Sequence, residues 1–195
     1  MRAGGKQLSK TVRVGLDPRV KISDEDLDAQ LNAALELRSL TSTLNNVVAK
    51  IDDLTRQLTA LSENLRKAPE APESAGGSGN GDGGSQQAAK PAGNPQTDIN
   101  QAIEELKKLR ATLVREAQFG YRYPPKLREE VNSLSGSISG PIAPPTEAQK
   151  LRLREVTAET QKAVADLNAI ISTSIRKINE SLSGQPHVVS GAALK

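Results

Sequence analysis

At 195 residues the chain is long enough for one domain or two small ones, yet it holds no Cys, no Trp, one Met, two Tyr and one Phe. So few aromatics argue against a wide globular core and for thin seams between helices, and without Cys neither a disulfide framework nor a thiolate metal site can form. The net charge of +3 sits in the leader: residues 1–22 carry Arg2, Lys6, Lys10, Arg13, Arg19 and Lys21 against Asp17, so the rest is slightly acidic and lacks the basic stripe of a nucleic-acid binder.

The leader MRAGGKQLSK has no apolar core of a signal peptide, so the chain as written is expected to stay in the cytoplasm. Thr11 to Leu16 alternates apolar and polar residues and stops at Asp17-Pro18, the pattern of one β-strand and a turn. A single strand cannot form a sheet. It is therefore either disordered or paired with polypeptide outside this sequence, and we expect the second.

Ser23 followed by Asp24, Glu25 and Asp26 predicts a helix start, with a hydroxyl N-cap and acids at the positive end of the macrodipole. From Leu37 the spacing of Leu40, Leu44, Val47, Ile51, Leu54, Leu58, Leu61 and Leu65 is strictly three-four-three-four, a coiled-coil seam over four heptads. Leu27, Leu31 and Leu35 or Ala34 lie out of phase, so a stutter or change of partner is expected near residues 35–38. Arg66 and Lys67 close the predicted helix, 23–67.

Residues 68–96 are mostly Pro, Gly, Ser, Ala and Gln with no aliphatic residue larger than Ala, the composition of a disordered linker. The region 97–183 returns to helical spacing. A helix is expected from Thr97 or Asp98 to about Gln118, with Ile99, Ile103, Leu106, Leu109 or Arg110, Leu113 and Ala117 on one face and a Glu104–Lys108 pair on its surface. Phe119, Tyr121 and Tyr123, with Arg122 among them, gather all aromatics at the following turn, as a bundle cap or a contact platform. A shorter helix places Leu127, Val131, Leu134 and Ile138 on one side. Thr146 and Gln149 form a capping box opening a final helix to about Leu182, with Val156, Thr160, Val164, Leu167, Ile171, Ile175, Ile178 and Leu182 as its seam. Residues 184–195 are expected to form a flexible tail.

Chemistry-bearing motifs are sparse. Gly79, Gly81 and Gly84 match a phosphate-loop spacing but lack the strand before and the helix after that make backbone N–H groups converge on an anion. The neighbouring acids Asp52/Asp53, Glu104/Glu105 and Glu129/Glu130 point about 100° apart on helices and suit solvated faces better than a catalytic pair. His187 stands alone, so no zinc site or His-based triad can be built. Asn179-Glu-Ser181 matches a glycosylation sequon inside a predicted helix, and Gly136 to Gly140 matches G-x-x-x-G without an apolar 20-mer around it. No run is long and apolar enough to span a membrane.

Two strings suggest a relationship. Asp17-Pro18-Arg19-Val20 with the helix that follows, and Gly120-Tyr121-Arg122-Tyr123-Pro124-Pro125-Lys126-Leu127 leading to Pro144-Pro145-Thr146, resemble the C-terminal helical region of large bacterial exported proteins with BNR/sortilin (VPS10)-like β-propellers. The resemblance implies a propeller and an Ig-like β-domain ahead of this region, the 11–16 strand being the last of that β-domain. It implies an exported, periplasmic or extracellular location for the longer protein, which is often labelled glycosyl hydrolase. No catalytic, cofactor-binding or metal-ligating residue comes with it.

The expectation is an all-α antiparallel bundle of two long and two shorter helices. Its role is expected to be a non-catalytic scaffold or protein-interaction module. Its partners are itself, a second copy in a homodimer, or the propeller and Ig-like domains of a longer chain, with no nucleic acid, transmembrane segment or cofactor. The alternatives are a hydrolase fragment without its catalytic part and a cell-surface tether using the basic leader on anionic polymer or lipid.

Overall fold

The computed structural model describes residues 2–3, 6–7, 9–12, 14–67, 94–115, 124–182, 187–188 and 194. Helix α1 is Asp24–Lys67, α2 Pro95–Leu113, α3 Leu127–Ser139 and α4 Glu147–Ile170. A π-helical turn, Ile171–Ile175, joins α4 to α5, Arg176–Ser181. Arg2–Ala3 and Lys6–Gln7 pair antiparallel over two residues each. The described residues of the expected strand, 11, 12 and 14–16, carry no strand pairing, and Val12 and Val14 are 72% and 92% exposed.

Helix α1 begins as its sequence predicts: the Ser23 hydroxyl accepts from the Asp26 N–H at 3.1 Å, with three acids in the first turn and Arg66 and Lys67 in the last. Helix α2 starts earlier than expected. Asn94 is its N-cap, accepting from the Gln96 N–H at 3.1 Å, and Pro95 occupies the first turn, where a missing N–H costs nothing. It also ends at Leu113, with Val114 in extended conformation; Gln118 lies outside the described residues. In α4 the Thr146 hydroxyl accepts from the Gln149 N–H at 3.2 Å, and the Gln149 side-chain Oε1 accepts from the Thr146 N–H at 2.8 Å.

The four main helices make a bundle three helices thick at any level. Helices α2 and α3 follow one another down the length of α1, each packed on it while touching one another little. Gln96 donates to Ser62 at 2.6 Å and Arg110 to Asp52 at 2.7 Å, so α2 runs antiparallel to α1. Farther along, Gln30 at the start of α1 meets the end of α3. The final helix returns: Gln149 reaches Ser137, Ser174 reaches Glu105 at 2.7 Å, and Lys177 reaches Asp98 at 2.8 Å. It therefore runs antiparallel to α2 and α3 and parallel to α1, which it meets where Thr157 donates to Glu36 at 2.8 Å. The two long helices are thus parallel to each other, and the middle pair supplies the antiparallel partner for both.

One core runs through the bundle. Leu37, Leu40, Leu44, Val47, Ile51, Leu54, Leu58 and Leu61 are buried and Leu65 half-buried; from α2, Leu106 and Leu113 join them with Ile99, Ala102 and Leu109. The α1 seam has no stutter. Counting back from Leu37 by four and three reaches Ala33, which is buried, and then Gln30, while Leu31 and Leu35 point outward, 55% and 47% exposed. Gln30 holds a seam position because its amide donates to the carbonyls of Ile138 at 2.7 Å and Pro141 at 2.5 Å. The last turn of any helix leaves carbonyls without intrahelical partners, and here α1 satisfies one of those of α3.

In α4 the seam is Leu153, Val156, Thr160, Ala163 and Leu167, spaced three-four-three-four. Ala163 takes the place expected for Val164, which is half-buried. The register then gains a residue: heptad spacing from Leu167 would reach 174, but the buried residues are Ile175, Ile178 and Leu182. The wider π turn absorbs that extra residue and returns them to the core, leaving Ile171 half-buried. The hydroxyls of Ser172 and Thr173 donate to the Ala169 carbonyl at 3.1 and 2.7 Å.

Candidate interaction surface

The charged residues of the helices connect neighbouring elements. Asp52 pairs with Arg110 across α1 and α2, Glu129 with Arg115 at 3.1 Å, Glu130 with Arg152 across α3 and α4, and Asp98 with Lys177. Three of these acids belong to the adjacent pairs read as solvated faces, so that reading missed their links between elements. Among the others, Asp53 pairs with Arg56 at 3.2 Å within α1, and Glu104 pairs with Lys107 at 2.9 Å rather than with Lys108. The hydrogen bond from Lys107 and its charge hold the Glu104 carboxyl below the usual range. Arg152 also meets Glu155 at 2.8 Å and Glu159 at 3.2 Å. Its pKa is raised by the hydrogen bond to Glu155, against partial burial, with the charge of Glu159 adding to the rise.

Between α2 and α4 lies an open groove of about 600 Å³ with Leu109, Leu113, Leu127, Ala163 and Ile170 on its floor. Charges line its rim, and two of them, Lys162 and Asp166, pair at 2.6 Å. Among the described residues no three His, Cys, Asp or Glu side chains gather as metal ligands, and no helix is long and apolar enough to cross a membrane. Phe119, Tyr121, Arg122 and Tyr123, the expected contact platform, lie outside the described residues.

Two surface features were not read from the sequence. The first is the outer face of α1, where Leu31 and Leu35 stand one turn apart. The second is a seat for the C-terminal residues on the last helices. Asn179 in α5 donates its amide to the Val188 carbonyl at 3.0 Å and accepts from the Val188 N–H at 2.8 Å. Asn168 in α4 does the same with Leu194, at 2.9 and 3.2 Å. Val188 is 4% exposed and belongs to the core, and Leu194 packs against it. The described part of the expected flexible tail is therefore docked, because two side-chain amides satisfy its backbone and an apolar side chain is buried. The Asn of the Asn-Glu-Ser triplet is one of those amides. A signal for this was present in the sequence: three large aliphatic residues, Val188, Val189 and Leu194, interrupt a tail of small and polar residues, and Asn168 and Asn179 lie three turns apart on one helix.

No protein-family model, curated protein or solved structure matches this chain.

Proposed function

We propose that the chain is a non-catalytic helical interaction module, the C-terminal part of a larger exported protein whose β-domain precedes residue 1 and packs on the outer face of α1. The observation that carries this reading is the pair Leu31 and Leu35, exposed on a helix whose large apolar side chains from Leu37 onward face inward. Residues four apart share a helix face, and apolar area left in water there costs about 25 cal/mol per Å² until a partner covers it. The segment that enters α1 presents Val12 and Val14 in the same exposed way, at the end of the helix where the leucines stand. Strand pairing with a preceding β-domain would cover both. In this reading the acids serve as links between helices, as Asp52 does with Arg110 and Glu130 with Arg152.

The test has two steps. The DNA upstream of the Met1 codon is expected to continue the frame into an export signal, a propeller and an Ig-like domain. When that longer chain is expressed, amide exchange over residues 27–35 should be at least tenfold slower than in the 195-residue chain. An upstream frame with no β-domain, or equal exchange in the two chains, sinks the reading.

A further inference from the structure

The docked C-terminal residues point to a partner. An Asn amide carries one acceptor and one donor group, and a residue in an extended chain offers one N–H and one C=O; matched in a ring, they read backbone and not side chain. Asn168 and Asn179 each make such a pair, with Leu194 and Val188. The two amides are eleven residues apart, about 16 Å along a helix, a span within the roughly 20 Å that six residues of chain can reach. Selectivity is left to two aliphatic anchors six residues apart, one buried at 4% exposure and one packed on the core. Nothing in this set of contacts depends on the segment belonging to the same molecule.

We propose that this strip is a peptide-docking seat, filled in cis by the chain's own C-terminal residues and in trans by the same residues of a second copy. A second copy carries the identical anchors and backbone pattern, and exchanging an identical element forms a dimer without a new interface. Tethering favours the cis arrangement until chain concentration approaches the effective concentration of the tail, of order millimolar for a short connection. The proposal rests on the reading of the bundle as an interaction module, but it concerns the last helices and not α1, so the exchange experiment above and the one below can fail separately.

The experiment uses a fluorescent peptide with the sequence of residues 187–195, HVVSGAALK, added to the full chain. Val188→Asp removes the buried anchor of the resident tail, and Leu194→Asp the half-buried one; the second guards against loss of folding in the first. The peptide should bind whichever variant keeps wild-type helicity at least tenfold more tightly than it binds wild type, because the resident tail no longer competes. Adding Asn168→Ala and Asn179→Ala to that variant should abolish binding while leaving helicity intact. Absence of binding to a folded anchor variant, equal binding to wild type, or binding that survives loss of both amides would overturn the proposal.

Discussion

Leu54→Asp is expected to abolish cooperative folding. Leu54 is fully buried in α1, within the single core that the helices share. Truncating a buried Leu costs about 2–5 kcal/mol, and an unpaired carboxyl in its place adds several more or must take up a proton. A domain stable by about 5–15 kcal/mol has little left after that. Circular dichroism at 222 nm should show reduced helicity and no sharp thermal transition. The same substitution at Leu31, on the outer face, should change stability by no more than about 0.5 kcal/mol. Ile171→Asp should fall between them, because the π turn leaves that side chain half-buried. A Leu54→Asp chain with an unchanged melt would mean that the seam does not hold the bundle together.

The second large effect is one of register. If the π turn exists to absorb one extra residue, deleting Ser172, which is exposed, should let the helix close with ordinary α geometry and carry Ile175, Ile178 and Leu182 onto the three-four spacing that Leu167 sets. The deletion is expected to leave stability within about 1 kcal/mol of the original or to raise it. Deleting Gln161, equally exposed, should do the opposite. It draws Asn168 into the place of Leu167 and Val164 into that of Ala163, burying an amide where a leucine was. The cost is roughly 3–5 kcal/mol, or a fall in melting temperature of about 10 °C in a chain of this size. Equal melting temperatures for the two deletions would show that the extra residue has nothing to do with the π turn.

The residues that misled sequence reading did so for physical reasons. The seam from Leu37 to Leu65 was legible because burial on one helix stripe writes itself as three-four spacing, and the caps at Ser23 and Thr146 were legible because they are local. Direction was not legible: apolar spacing is the same for parallel and antiparallel neighbours, and only ordered contacts distant in sequence, Ser62 with Gln96 and Asp52 with Arg110 on one side and Asp98 with Lys177 and Glu105 with Ser174 on the other, show that α1 and the final helix run the same way. Leu27, Leu31 and Leu35 drew a false stutter because the true seam there carries Ala33 and Gln30. Gln30 is suited to its place by the carbonyls of Ile138 and Pro141, over a hundred residues away. The extra residue between Leu167 and Ile175 stood in the sequence as a four-four spacing, yet its outcome, a π turn, depends on the core that fixes both ends. Asn168 and Asn179 gave little sign of their role, since an Asn on a helix resembles any polar surface residue until the backbone it binds is in place.

The parallel course of the two long helices, with α2 and α3 laid antiparallel between them, is the centre of the account. The chain contains no Cys, so pairs of introduced thiols can be labelled cleanly. Spin-label distances should be measured for Glu36→Cys with Thr157→Cys and for Glu36→Cys with Lys177→Cys. Parallel long helices should give a short distance for the first pair and one of about 30 Å for the second, which is set by the axial rise of twenty helical residues. A shorter distance to position 177 than to position 157 would contradict that arrangement.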